Sequence, residues 1–342
     1  MLRCIQLAKN GLGTTAPNPT VGAVIVYNNI IIGEGFTSAF GGAHAEANAI
    51  NAVGDKKLLA LSTLYVTLEP CSHHGKTPPC ADLIIAHKIP RIVIGLKDPH
   101  AKVAGQGIAR LERNGCITMV GVLENACAEH HKRFLTFHTK KRPYIILKWA
   151  TTLDGFIAPL DSVRTNTPQP YWITGKLAKQ LVHKWRSEEQ SILVGTTTAL
   201  MDNPKLDVRL WKGKSPIKIV IDRALKVPKT SALFKSDQKT LLFTDRKSDA
   251  YVNTATQIEI KGNTLPQFIC ETLYQQNIQS VFIEGGAKTL QSFIDANLWD
   301  EARILAGNSS FKDGTASPQI KGNIQSESTL NKDRLTILRN DT

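Results

Sequence analysis

His44-Ala45-Glu46, Glu69-Pro70-Cys71 and Pro79-Cys80 decide how the first half of this chain folds. The His-x-Glu stands where an apolar helix over 45–53 opens, and the cysteines follow about one strand–helix unit later, just after an apolar strand over 64–68. One His and two thiolates are ligands for Zn²⁺, and three protein ligands leave the fourth corner of a tetrahedral ion open to water. Glu46, two residues from His44, reads as a proton carrier rather than a ligand, the general acid–base needed between a water and a leaving amine. The pattern implies zinc-assisted hydrolytic deamination. The common form of that pattern places two residues between its cysteines; here eight intervene, Ser72 to Pro79. Pro78-Pro79 stiffens the longer loop. Cys80 then opens an apolar helix over 81–88, whose unpaired N–H groups favour a thiolate. A fourth ligand from His73 or His74 would close the site and leave Glu46 without a task.

Outward from this stretch, strands over 21–26, 64–68, 91–96 and 117–122 alternate with helices over 45–53, 81–88, 108–114 and 125–135. This order predicts a three-layer α/β domain whose strands feed the metal site. Residues 137–142 are basic without an apolar period, and Pro143 follows, so a first domain is placed at 1–140 and a second at 143–342. The second restarts with a strand over 144–150. Strands over 191–195, 217–222, 240–244 and 280–284 and helices over 176–189, 265–277 and 287–298 predict a second α/β domain. Short strands over 302–305 and 335–338 are expected at its edges, and the polar run Gly314–Ser328 is expected to be a loop.

The 342 residues, 42% hydrophobic and 21% charged, suffice for two ordinary cores. No apolar run approaches a membrane span, and Met1-Leu2-Arg3-Cys4 begins an amphipathic segment rather than a secretory signal. Six cysteines are present. Cys4, Cys116, Cys127 and Cys270 lie in periodic apolar contexts and read as reduced core thiols, which fits a cytoplasmic protein. The net charge of +13 suits anionic small molecules such as phosphate esters. The longest basic block, Lys140-Lys141-Arg142, is too short for a dedicated nucleic-acid patch. A phosphorylated small molecule is therefore the expected partner, with no nucleic acid and no membrane, and with homo-oligomerisation open.

In the second half, Ser280–Gly286 is a buried strand ending in Glu284-Gly285-Gly286 before a helix. Paired glycines permit close backbone approach, and the helix N-terminus favours phosphate; a tight turn explains the glycines equally well. Ile192–Thr198 is a second strand ending in Gly and hydroxyls, and two such ends in one sheet can hold a nucleotide cofactor between them. Arg186 and Arg209 are candidate forks for phosphate. Lys148 interrupts an apolar strand, so it points to solvent or into a site, and Asp154-Gly155 marks a turn.

Taken together, Ala16–Val24, His44-Ala45-Glu46 and Glu69–Cys80 with its long cysteine loop resemble the bifunctional riboflavin-biosynthesis deaminase–reductase family. So do Lys148–Gly155, Trp172-Ile173-Thr174, Arg186, Asp202–Leu206 with Arg209, and Glu284-Gly285-Gly286. The resemblance covers nearly the whole chain. It implies a cytidine-deaminase-like domain, with three α/β/α layers, followed by a dihydrofolate-reductase-like α/β domain. It also implies one Zn²⁺ per chain, on His44, Cys71 and Cys80, with Glu46 as the catalytic proton carrier. The first domain would deaminate 2,5-diamino-6-(5-phosphoribosylamino)pyrimidin-4(3H)-one, and the second would reduce the ribosyl group of the product to ribityl with NADPH. By the same resemblance, Asn18, Lys148, Arg186, Leu206, Arg209 and Glu284 match substrate positions, with Arg186 and Arg209 on phosphate. Thr151, Trp172, Thr198, Asp202, Gly286, Ala287 and Lys288 match cofactor positions. Two departures stand out. Pro170 replaces a hydroxyl residue that contacts substrate in the family, a contact that Thr165 or Thr167 would have to supply, and Asn203 replaces the second acid of an Asp-Asp-Pro run. Rival readings are a nucleic-acid deaminase, a deaminase fused to a non-catalytic binding domain, and a folate reductase in the second half.

Overall fold

A computed structural model of the chain describes residues 1–72, 78–99, 104–164, 167–235, 240–262 and 264–340. The chain divides into two compact units, Met1–Arg142 and Pro143–Thr342. In the first unit the elements run α1 (Leu2–Ala8), β1 (Gly22–Tyr27), β2 (Ile30–Phe36), α2 (Ala45–Ala52), β3 (Thr63–Val66), α3 (Cys80–Ala86), β4 (Arg91–Ile94), α4 (Gln106–Arg113), β5 (Ile117–Val120), α5 (Glu124–His130) and α6 (Lys132–Lys140). They build a five-stranded sheet in the order β2-β1-β3-β4-β5. The β1 strand is antiparallel to both its neighbours, and β3, β4 and β5 are parallel. Successive side chains of a strand face opposite ways. Ala23 and Ile25 of β1 therefore enter a core with Ala45, Ala49 and Ile84, whereas Val24 packs on Cys4 and Leu7 of α1.

The β2 strand has no signal in the sequence reading, because Gly33 and Gly35 interrupt Ile30–Phe36 and interior glycine argues against a strand. The structure shows why they are there. A Cβ on Gly35 would lie 2.4 Å from the Ala49 nitrogen and 2.5 Å from the Ala45 carbonyl oxygen. The α2 backbone lies directly on the strand, and this close approach sets where the helix begins. The helix expected over 125–135 is two helices, and α6 continues through the basic stretch to Lys140. Phe134 and Phe137 supply its buried face, and two apolar side chains are too few to print a period.

The second unit runs β6 (Tyr144–Thr151), β7 (Phe156–Pro159), α7 (Lys176–Glu188), β8 (Ser191–Gly195), α8 (Thr196–Asp202), β9 (Ile217–Ile221), β10 (Thr240–Thr244), β11 (Ala255–Glu259), α9 (Leu265–Gln275), β12 (Ser280–Ile283), α10 (Ala287–Asp295), β13 (Glu301–Ala306), β14 (Gly314–Ala316), β15 (Asn323–Leu330) and β16 (Asp333–Arg339). Nine of these strands form one sheet, β11-β10-β9-β8-β12-β6-β13-β16-β15. Ile146, Ile192, Val220 and Phe282 line one face, and Ile145, Leu193, Ile219 and Val281 the other. From β11 to β13 the strands are parallel, and both faces are covered there as a parallel sheet requires; β16 is antiparallel to both its neighbours.

Two expectations are corrected here. The segments over 302–305 and 335–338 are interior strands, since β13 lies between β6 and β16, and β16 between β13 and β15. Gly314–Ser328 is not a loop: it contains β14 and most of β15. Nearly every residue of β15 is exposed, so no buried face imposes an alternating pattern on a strand held by its backbone bonds to β16. Among the described residues, no helix is long and apolar enough to cross a membrane.

Candidate functional site

The parallel strand β3 delivers the chain to Glu69-Pro70-Cys71 at its carboxyl end, the position where open α/β sheets place ligands. His44 is the residue before α2, Glu46 lies in its first turn, and Cys80 begins α3. The three elements bring the ligand atoms of His44, Cys71 and Cys80 within 4.8 Å of one another. His44 Nδ1 lies 3.6 Å from Cys71 Sγ and 3.3 Å from Cys80 Sγ. A tetrahedral zinc with ordinary Zn–S and Zn–N bonds needs its sulfur and nitrogen ligands about 3.5 Å apart, so the set fits the ion, with Nδ1 the ring nitrogen that faces both sulfurs. The Cys80 N–H also donates to Cys71 Sγ at 3.3 Å. Hydrogen bonding from the Cys80 thiol, working against burial and helped by the His44 ring, holds Cys71 down to about 4, while the same proton-sharing and burial push Cys80 up.

Glu46 is 4% exposed. Burial, and then the neighbouring Cys71 sulfur, push its carboxyl up to about 7. A group poised there both accepts and gives up a proton near neutral pH. Asn18 sits in a turn in which its own N–H donates to the Thr15 carbonyl and its carbonyl accepts from Thr15 Oγ1. Its side chain makes no hydrogen bond among the described residues. His73 and His74, the alternative fourth ligands, lie outside the described residues.

Cys71→Ser is expected to lower zinc stoichiometry and the thermal stability of the first unit together, since metal binding and folding are linked. Metal analysis beside a melting curve checks this, and full stoichiometry in the variant would remove Cys71 from the ligand set.

In the second unit a cleft of about 470 Å³ opens at the carboxyl ends of β6, β8 and β12. Lys148, Trp172, Thr198, Asp202, Arg186, Leu206, Arg209 and Glu284 all line it. At its floor, Arg186 Nε and Nη2 each donate to Glu284 at 2.7 Å, and Nη1 donates to the Asp207 carbonyl at 3.2 Å. The fork expected to grip phosphate is thus occupied by a carboxylate, and burial is the reason: the Arg186 side chain is 11% exposed, and a desolvated guanidinium needs a fixed partner. Burial alone would raise the Glu284 carboxyl, but Arg186 and Lys148 overcome it and hold the group down to about 2. Burial pushes the Lys148 ammonium downward, and Glu284 opposes that. Among the described residues Arg209 pairs with Asp207 alone, through Nη1; its side chain is 43% exposed and keeps donors for a ligand.

The cofactor-matching residues divide. Trp172, with Lys179 Nζ 3.6 Å above its ring, lines the cleft with Thr198 and Asp202, and Arg164 pairs with Asp202 at 3.0 Å. Gly286 abuts them: a Cβ there would lie 3.1 Å from Thr198 Oγ1, so the glycine keeps open the groove between the β8–α8 and β12–α10 turns. Ala287 and Lys288 form the first turn of α10, which has no side-chain cap, and its N–H groups suit a phosphate. Thr151 does not line the cleft; its Oγ1 meets Ser317 Oγ at 2.8 Å. The residues present fit a dinucleotide. His183 was not singled out from the sequence, yet it lines the cleft and accepts from the Arg209 N–H at 3.3 Å. Burial and then Arg186 and Arg209 hold it down to about 4, so the ring is neutral. Its signal was the three-residue spacing to Arg186, which places both on one helix face.

The departures are also resolved. Asn203 Oδ1 accepts from Ser231 Oγ at 2.9 Å and the Ala232 N–H at 2.8 Å, bonds a carboxylate oxygen would make equally well. Pro170 lines the cleft beside Gln169, which carries an amide. Thr167 is not in the lining, and Thr165 lies outside the described residues.

The family described as the cytidine and deoxycytidylate deaminase zinc-binding region matches residues 1–96, and the RibD C-terminal domain matches residues 143–308. The riboflavin biosynthesis protein RibD of Bacillus amyloliquefaciens is 40% identical over 94% of this chain and 86% of its own length. The chain belongs to the RibD family. The RibD of Aquifex aeolicus is 39% identical over 89% of this chain and 85% of that protein. A solved RibD-type structure from Thermotoga maritima, titled a diaminohydroxyphosphoribosylaminopyrimidine deaminase/5-amino-6-(5-phosphoribosylamino)uracil reductase, superposes with a TM-score of 0.89 at 37% identity, covering 99% of this chain and 97% of that one. Like other RibD proteins, this one is a bifunctional enzyme of riboflavin biosynthesis, a deaminase and a reductase, with zinc and NADPH as cofactors and a small molecule as substrate.

Proposed function

We propose that the first unit deaminates 2,5-diamino-6-(5-phosphoribosylamino)pyrimidin-4(3H)-one and that the second reduces the ribosyl group of the product, giving 5-amino-6-(5-phosphoribitylamino)uracil. The observation that carries this is the convergence of His44, Cys71 and Cys80 within 4.8 Å beside a buried Glu46. Bound zinc supplies Lewis acidity that makes water nucleophilic near neutral pH. His44, Cys71 and Cys80 hold it. Glu46 would take one proton from the attacking water and give it to the ring nitrogen, and would then carry a second, from the newly added hydroxyl, to the amine that leaves as ammonia, while Asn18 offers its amide to the substrate. In the second unit NADPH would supply the hydride, and Trp172, Thr198, Asp202 and the Gly286–Lys288 turn would hold it, with Thr151 acting through Ser317. Arg186 fixes Glu284, and Glu284 and Lys148 then present opposite charges to the sugar. Leu206 closes the apolar wall, and Arg209 takes the phosphate. The domains at 1–140 and 143–342 carry one activity each. The substrate is the free pyrimidine rather than a nucleic acid, and the enzyme works in the cytoplasm away from membranes. Light scattering would report whether it assembles as a homo-oligomer.

Purified protein given the diamino substrate and NADPH is expected to release ammonia and then oxidise NADPH. Ammonia without NADPH oxidation would remove the reductase assignment. Arg209→Ala should raise KM for the phosphorylated substrate by about 10- to 100-fold, the loss of one charged hydrogen bond. An unaltered KM would leave Arg209 a surface residue.

A further inference from the structure

The Glu69 carboxylate is 4% exposed, and no cation pairs with it among the described residues. Among the described residues it accepts from four backbone N–H groups instead. Asp98 and Gly105 donate to Oε2 at 3.1 and 3.0 Å, and Gly107 and Ile108 donate to Oε1 at 2.9 and 3.3 Å. The last two are otherwise unpaired donors in the first turn of α4, so Glu69 caps that helix from a strand end far away in sequence. The same helix returns the contact. Arg110 Nη1 donates to the Ser72 carbonyl at 3.3 Å, and its Nη2 pairs with Asp82 of α3 at 2.8 Å. A Cβ on Gly107 would lie 2.0 Å from the Pro70 carbonyl oxygen, so the helix backbone lies directly on the turn that carries Cys71. Helix α4 therefore holds the residues on both sides of Cys71 and, through Asp82, the first turn that carries Cys80.

We propose that Glu69 and Arg110 are positioning residues of the zinc site, fixing the spacing of the two thiolates through α4. Neither touches the ligands' metal-binding atoms. The brace ties both thiolate-bearing segments to one helix. The inference rests on the zinc-deaminase reading.

The test uses the zinc-loaded full chain with Glu69→Gln and Arg110→Gln. Gln keeps the shape of Glu69 but turns an NH₂ toward two N–H donors. Transfer of zinc to a chromogenic chelator should be about 10- to 100-fold faster in Glu69→Gln, the scale for supporting groups around a metal, and several-fold faster in Arg110→Gln. The thiolate–metal absorption of the cobalt-substituted forms should shift as well. Leu59→Ala is the control: it hollows the same core while leaving every brace hydrogen bond, and should lower the melting temperature without either change. Release from both variants no faster than from Leu59→Ala overturns the brace. If Glu69→Gln does not fold, Arg110→Gln, on a partly exposed pair, decides alone: faster release supports the proposal and unchanged release overturns it. Wild-type protein that binds no zinc would instead sink the metal assignment itself.

Discussion

Glu46→Gln is expected to keep its zinc and lose ammonia release by about 10²- to 10⁴-fold, the usual contribution of a positioned acid–base. Gln fills the same buried space in the first turn of α2 and leaves His44, Cys71 and Cys80 untouched. Only the capacity to move a proton is removed. The same variant should oxidise NADPH at the wild-type rate when given already deaminated substrate, and not when given the diamino compound. Steady ammonia release by a zinc-loaded Glu46→Gln would take the residue out of the mechanism.

Arg186→Met is expected to destabilise the second unit by about 3–5 kcal/mol, the cost of leaving one member of a buried ion pair, and to abolish NADPH oxidation while ammonia release continues. Glu284, 9% exposed at its side chain, would face Lys148 alone. The pH dependence gives a second readout. In the wild type the Glu284 carboxyl lies at about 2, below its ordinary 4.5, so the unfolded chain binds the extra proton between those values. Stability from this group is full above about 4.5 and is lost as pH falls toward 2, on the order of 3 kcal/mol in all. Removing Arg186 should raise the carboxyl and flatten that acid limb. Thermal unfolding across pH 2–6 measures it, and an unchanged slope would show that Arg186 does not set the charge of Glu284.

The metal set was legible because its residue types are rare together and their order along a strand–helix alternation is fixed. Arg186 was legible as a candidate anion binder but not in its burial or its partner: Glu284 lies 98 residues away, and only the parallel packing of β12 beside β8 under α7 brings them together. His183 carried a local signal, its three-residue spacing to Arg186, but nothing in that spacing showed that the shared helix face lines a cleft. Glu69 stood beside Cys71 in plain view, yet nothing local distinguishes a solvated carboxylate from one filled by four backbone donors. The β15 strand was invisible because exposure removes the alternation on which strand reading depends.

By itself the sequence determined two α/β units, a candidate zinc set with a candidate proton carrier beside it, and the strand ends that line the second cleft, since each is written in local period or in residue chemistry. The tertiary structure decided which charges pair, which helix braces the cysteines, and which strands lie inside the sheet. Those depend on desolvation and on contacts between residues distant in the chain, and the cost of burying a charge or an unpaired donor appears only once the chain has closed around it.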